Sequence, residues 1–288
     1  MGYRNRMSRE KRRELGKQRT AELSDLLQAG YQSMGHPAVW AAVMRAGAVH
    51  VERGPVNAIA IGLQAPHATQ VLSYAEWQNN GRQVRRGEEG VRIWGPMTGG
   101  GRREPAEERP ESSADAEAQG EERARGWLSN AVFDISQTDG PPVTSPATGN
   151  PAPFVRNRLI AVLTQGGDHR AFLINGVPAE AIDPEDASRA LLLKAARRSI
   201  EAAGLCDPEQ VEAEAAAAAH VAARILRIPA GPLLPPPAAG WITDDLNNPP
   251  VKQSAVRAIT LGRTLAEQIG DPCPCCNGAR HDQDRAEV

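Results

Sequence analysis

The sequence predicts an α+β fold: a small antiparallel sheet with helices in the first half, followed by a mostly helical second half. Three observations carry this. Between residues 68 and 94 the apolar residues change from helical spacing to period-two alternation, with glycines at the breaks. Beyond residue 183 long runs rich in alanine and leucine follow Asp-Pro-Glu starts, the pattern of capped helices. Between the halves, TDGPPVTSPATGNPAP has the composition of a linker. The expected division is a first domain over 1–145, a second over 155–270 and a cysteine-containing tail over 271–288.

Composition narrows the class. A chain of 288 residues with 41% hydrophobic content can build two ordinary domains. Its formal net charge of −2 gives no bulk attraction to a polyanion, so any nucleic-acid contact must come from a local patch. No apolar run approaches the roughly 18 residues that a membrane-spanning helix needs. The basic start MGYRNRMSREKRRELGKQR lacks the apolar stretch of a secretory signal. Cys206 stands alone and Cys273, Cys275 and Cys276 crowd together, which is not a secreted disulfide framework. The expectation is a soluble cytoplasmic protein without membrane contacts.

Taken in order, residues 8–29 read as a helix with Ser8 as N-cap and Gly30 as stop. A second helix follows Pro37, with Val39, Trp40, Val43 and Met44 at helical spacing and Trp40 in the core. Pro55 opens a third, whose stripe of Val56, Ile59, Ala60 and Leu63 turns inward. Asn57 and Gln64 lie seven apart, nearly eclipsed on one polar side, free to hydrogen-bond a neighbouring loop or a ligand. Residues 68–72 form a strand. Ser73-Tyr74-Ala75-Glu76 is a capping box for a short helix through Trp77 that Gly81 closes.

A hairpin is expected next: RQVR, a turn around RGEEG, then VRIW. Alternation places Val84, Val91 and Ile93 on the core face and Gln83, Arg85, Arg92 and Trp94 on the other. Guanidinium groups pair with phosphate, and indole and guanidinium planes stack on bases. The same residues also suit a solvated hairpin whose arginines pair with Glu88 and Glu89, and chemistry alone leaves both open. Residues 99–126 lose all apolar periodicity and are expected to form a disordered acidic loop between neighbouring strands. The strand Trp127–Thr138 follows, with Ala131, Phe133 and Ile135 on one side. Short apolar runs at 159–163 and 171–175 are expected to pair as strands around GGDH. Helices then cover 183–203, a segment after Asp207, and 251–269, the last preceded by a proline-rich spacer running past Trp241.

No phosphate-binding glycine loop, nucleophile elbow or HExxH motif occurs. Cys273, Cys275, Cys276 and His281 carry donors suited to zinc, but C-x-C-C is not the usual spacing, so the tail is read as flexible.

The first half nevertheless carries an ordered set of residues: Asn57, Gln64, Pro66, Ala68-Thr69, Tyr74, Trp77, Gly81-Arg82, Val84, Gly87-Glu88, Gly90, Ile93, Pro96 and VFDISQT at 132–138. This set resembles the N-terminal single-stranded-DNA-binding domain of the ArdC-type antirestriction proteins, also found on plasmid TraC-type primases. It departs from the family where Glu52 to Pro55 replaces a Tyr-Ser element. The resemblance implies sequence-independent binding of single-stranded DNA in plasmid or phage biology, protecting incoming DNA from nucleases. It implies that Arg82, Arg85, Arg86 and Arg92 neutralise phosphates and that Tyr74, Trp77 or Trp94 offers a stacking surface. Asn57, Gln64 and Gln83 are the polar contacts expected beside them. The second half resembles the family's metallopeptidase-like domain through VEAEAAAAAHVAARIL. Leu193-Lys194-Ala195-Ala196-Arg197 stands where the family carries HExxH, and Gln210 lies near the third ligand position. The resemblance therefore implies a metal-free, cofactor-free and non-catalytic scaffold. A rival expectation is a protein-interaction module, in which acidic residues 104–122 mimic DNA toward a restriction or DNA-transfer partner.

Overall fold

A computed structural model describes residues 9–96, 127–143, 151–165, 172–205, 207–231, 233 and 249–270. The acidic insert, the proline-rich spacer with Trp241 and the cysteine tail lie outside the described residues.

Helix α1 (Arg9–Ser33) runs through Gly30, which was expected to stop it. The glycine answers a packing need instead: a methyl there would sit 2.5 Å from Leu63 Cδ1. Helix α2 (Pro37–Val49) buries Trp40, Val43 and Met44 completely. Helix α3 (Pro55–Gln64) is buried throughout Ala58–Gly62, a wider face than the expected stripe. Its backbone touches α2, since a methyl on Gly62 would lie 2.7 Å from Val43 Cα. The residues flanking that face, Val56 and Leu63, are only half-buried.

The main sheet is antiparallel in the order β1 (Val71–Ser73), β4 (Trp127–Asp134), β3 (Val91–Pro96). Strands β3 and β4 pair as far as Pro96↔Trp127, so residues 97–126 do connect two neighbouring strands. The hairpin expected over 83–94 does not form. Strand β2 (Gln83–Val84) pairs with β5 (Thr138–Asp139), and β3 pairs with β4. Long-range hydrogen bonds decide this: the Arg85 N–H donates to Gln137 O at 3.0 Å, fixing the turn on the far end of the β4 segment. The alternation within β4 is as expected, with Ala131 and Phe133 on one face. Val132, opposite Val91, is buried, while Ala131 is exposed and Phe133 half-buried.

In the second half, residues 152–164 form helix α5 (Ala152–Thr164), where a strand was expected. Val155, Leu159 and Leu163 are buried at i, i+4, i+8, a period that the short window 159–163 could not display. Strands β6 (Leu173–Ile174) and β7 (Val177–Pro178) form a hairpin through left-handed Asn175 and Gly176. Helices α6 (Pro184–Ala202), α7 (Pro208–Leu226) and α8 (Pro250–Gly270) arise as expected, with Asp183 capping α6.

Two cores hold the chain. The first joins α1–α3 and the main sheet to Ala213, Ala217 and Val221 of α7 and Val251, Ala255, Ala258 and Ile259 of α8. The second lies among α5, α6, α7 and α8. Helices α7 and α8 serve both, so the linker near residue 145 does not separate them. Close backbone approach makes the sharing possible: a methyl on Gly262 would stand 2.6 Å from Ala218 O. Arg263 of α8 then donates to the carbonyls of Gly47, His50 and Arg53, pinning α8 to the end of α2.

Candidate nucleic-acid interface

Strand β3 lies at a sheet edge, and its outward backbone groups need partners. Helix α3 provides them. Asn57 donates from Nδ2 to Trp94 O at 2.8 Å and accepts the Trp94 N–H at 2.9 Å. Gln64 donates from Nε2 to Arg92 O at 2.7 Å and accepts the Arg92 N–H at 2.9 Å. Seven helical residues rise about 10.5 Å, whereas two strand residues span about 6.8 Å, and the longer glutamine side chain helps close that gap. The two amides expected to touch DNA are thus clamps on β3. They hold the strand from which Arg92 and Trp94 project.

Two further expectations fail for physical reasons. Trp77 is 0% exposed, and its indole N–H donates to Phe133 O at 2.8 Å, so it is a core residue with no stacking face. Arg82 is 9% exposed and donates to Thr138 Oγ1, Thr138 O, Gly140 O and Pro141 O. Its guanidinium ties β2 to β5 and faces the Trp77 ring from 5.8 Å. No phosphate can reach it without dismantling that tie.

The VFDISQT segment, which follows the strand pairing, organises the turn beside it. Burial alone would raise the Asp134 carboxyl, but hydrogen bonds from Ser136, Thr69 and Gln70 together hold it below the usual carboxylate range. Gln137 donates to Glu88 Oε2 at 3.0 Å and Glu89 O at 2.8 Å, and accepts the Asp134 N–H. Gln137 and then Arg85 draw the Glu88 carboxyl downward as well. Arg85 reaches Glu88 Oε1 at 2.8 Å and Ser136 O at 2.6 Å, with Asp139 at 3.6 Å. Its charge is largely matched within the protein.

What remains uncommitted defines the surface. Tyr74 (45% exposed), Gln83, Arg86 and Phe133 line an open hollow of about 570 Å³ together with Arg85, Glu88 and Asp139. The register places Arg92 beside exposed Ala131 and Trp94 beside Ser129, on the same sheet face as Phe133. The Phe133 ring reaches across to Gly90, just before β3, where a methyl would meet its Cε1 at 3.1 Å. Among the described residues neither the Arg86 nor the Arg92 guanidinium has a partner. Trp94 is half-buried against the first core. Phe133 is the member that local sequence does not reveal, because only strand pairing brings it to the face that carries Arg92.

The second half does not present a zinc site at the positions where the family resemblance would put one. Leu193 is hydrocarbon, Arg197 is paired with Glu212, and Gln210 donates from Nε2 to the buried Glu214 at 2.9 Å. A guanidinium and an amide N–H cannot replace imidazole donors. Glu214 itself is engaged by Ser254 and Arg257. Among the described residues no three His, Cys, Asp or Glu side chains gather as metal ligands, and no helix is long and apolar enough to cross a membrane.

No family model matches the chain, and no curated protein matches it. Among solved structures, the crystal structure of the antirestriction ArdC protein from the R388 plasmid, in its metal-free form, aligns with 76% of this chain and 85% of that one. The TM-score is 0.43 and the identity 17%. By its name that protein belongs to the family whose motifs the first half resembles.

Proposed function

We propose that this chain binds single-stranded DNA without reading its sequence, on the β3–β4 face beside Tyr74. The observation that carries the reading is the pairing of two accessible rings, Tyr74 and Phe133, with two uncommitted guanidinium groups, Arg86 and Arg92. Rings of this kind accept unstacked bases of any identity, and guanidinium groups match the phosphates between them. Intact duplex keeps its bases stacked on one another, so only its phosphates remain available. Binding alone is proposed, with no catalytic step. An antirestriction role in the cytoplasm, on DNA of plasmid or phage origin, is the associated proposal and rests on the motif resemblance.

The test is fluorescence anisotropy of a labelled single-stranded oligonucleotide, with unlabelled duplex as competitor. Saturable binding that weakens with salt and resists duplex competition is expected. Absence of binding at moderate salt, or equal competition by duplex, overturns the reading.

A further inference from the structure

We infer that this face takes bases by their Watson–Crick edge, with Gln83 and Tyr74 as the pair that reads it. The inference rests on the DNA-binding reading above and assigns its preference for single strands to hydrogen bonds at the base.

Gln83 Nε2 donates to Tyr74 Oη at 2.7 Å and to Val84 O at 3.1 Å. A carbonyl only accepts, so Val84 fixes which end of the amide is nitrogen. Both amide hydrogens are thereby committed, and Gln83 Oε1 is left as an acceptor with no donor among the described residues. Tyr74 Oη accepts from Gln83 and keeps its own O–H to donate, again with no acceptor among the described residues. An acceptor and a donor without a protein partner among the described residues thus line the hollow that also holds Phe133 and Arg86.

Every base offers a matching pair on its Watson–Crick edge. Adenine has an amino donor beside N1, and cytosine has an amino donor beside N3. Guanine has the N1–H beside O6, and thymine has the N3–H beside O4. One acceptor–donor pair therefore serves all four bases, which fits binding without sequence preference. In a duplex those same atoms are consumed by pairing, so only an unpaired base can satisfy the site. Gln83 and Tyr74 determine strandedness, while Phe133 and Arg86 supply stacking and charge.

The test compares labelled oligothymidylate with the same oligomer built from N3-methylthymidine. The methyl group removes the donor and leaves phosphates, sugars and ring faces in place. Anisotropy is measured at fixed salt for the unmodified protein, Gln83→Leu and Tyr74→Phe. The unmodified protein should bind the methylated oligomer about tenfold more weakly, the scale of a hydrogen bond lost with its partner left unmet. Each variant should weaken binding of the normal oligomer and narrow the gap between the two. If the unmodified protein binds both oligomers equally well, the base-edge inference is overturned while the DNA reading stands. If it binds neither, both fall together.

Discussion

Arg82 and Arg86 lie four residues apart in one motif and do opposite work. Arg82 is a buried fork binding one side chain and three backbone carbonyls, while Arg86 is exposed and unpartnered among the described residues. Lysine keeps the charge at Arg82 but cannot reproduce the fork. Arg82→Lys should therefore destabilise the fold by about 2 kcal/mol or more in urea denaturation, whereas Arg86→Ala should stay within about 0.5 kcal/mol. Equal stabilities for the two variants would contradict these roles. Residue types were legible in the sequence, but their commitments were not. Arg82's partners, Thr138, Gly140 and Pro141, arrive through strand pairing that no local window contains.

At the scale of elements, contacts between sequence neighbours are legible in the sequence and pairings between distant segments are not. The Ser73–Glu76 capping box, the Asp183 cap and the proline starts of α2, α3, α6 and α7 all depend on neighbours in sequence, and all form. The β2–β3 hairpin was expected because its strands are adjacent, yet Gln137 draws the 85–89 turn toward β5 instead. This turn sets a limit on the site, because Glu88 occupies Arg85 where a phosphate would otherwise sit. Glu88→Gln keeps the shape and removes the charge. The expected result is tighter DNA binding with a steeper salt dependence, its logarithmic slope larger by about 0.7, one added phosphate contact on a single strand. An unchanged slope would show that Arg85 takes no part even when released.

The molecule as a whole is held by α7 and α8, which contribute to both cores, and the linker composition near residue 145 gave no sign of that. His50 sits at this junction, 1% exposed, its carbonyl bound by Arg263 and its buried Nε2 without a partner among the described residues. Burial, outweighing the nearby Glu52 and Asp134, holds its pKa below the ordinary 6.5, and burial acts on His220 in the same direction. A depressed folded value means that the unfolded chain binds the proton more readily. The associated stability is present above pH 6.5 and is lost as pH falls toward the folded values. Thermal unfolding should show Tm declining as pH is lowered through 6.5, and His50→Gln should flatten the decline in part, His220 retaining its share. A His50→Gln profile parallel to that of the unmodified protein would remove His50 from the account.

The central claim is that Arg86 and Arg92 bind DNA phosphates while Arg82 and the α3 amides build the surface beneath them. It is tested most directly by anisotropy of a labelled single-stranded oligonucleotide across a salt series, with the unmodified protein beside Arg86→Ala/Arg92→Ala. The account predicts that the double variant remains folded, binds more weakly, and has a logarithmic salt slope shallower by about 1.4, two phosphate contacts on a single strand. An unchanged slope and affinity in the folded double variant would contradict it and remove the β3–β4 face as the DNA-binding surface.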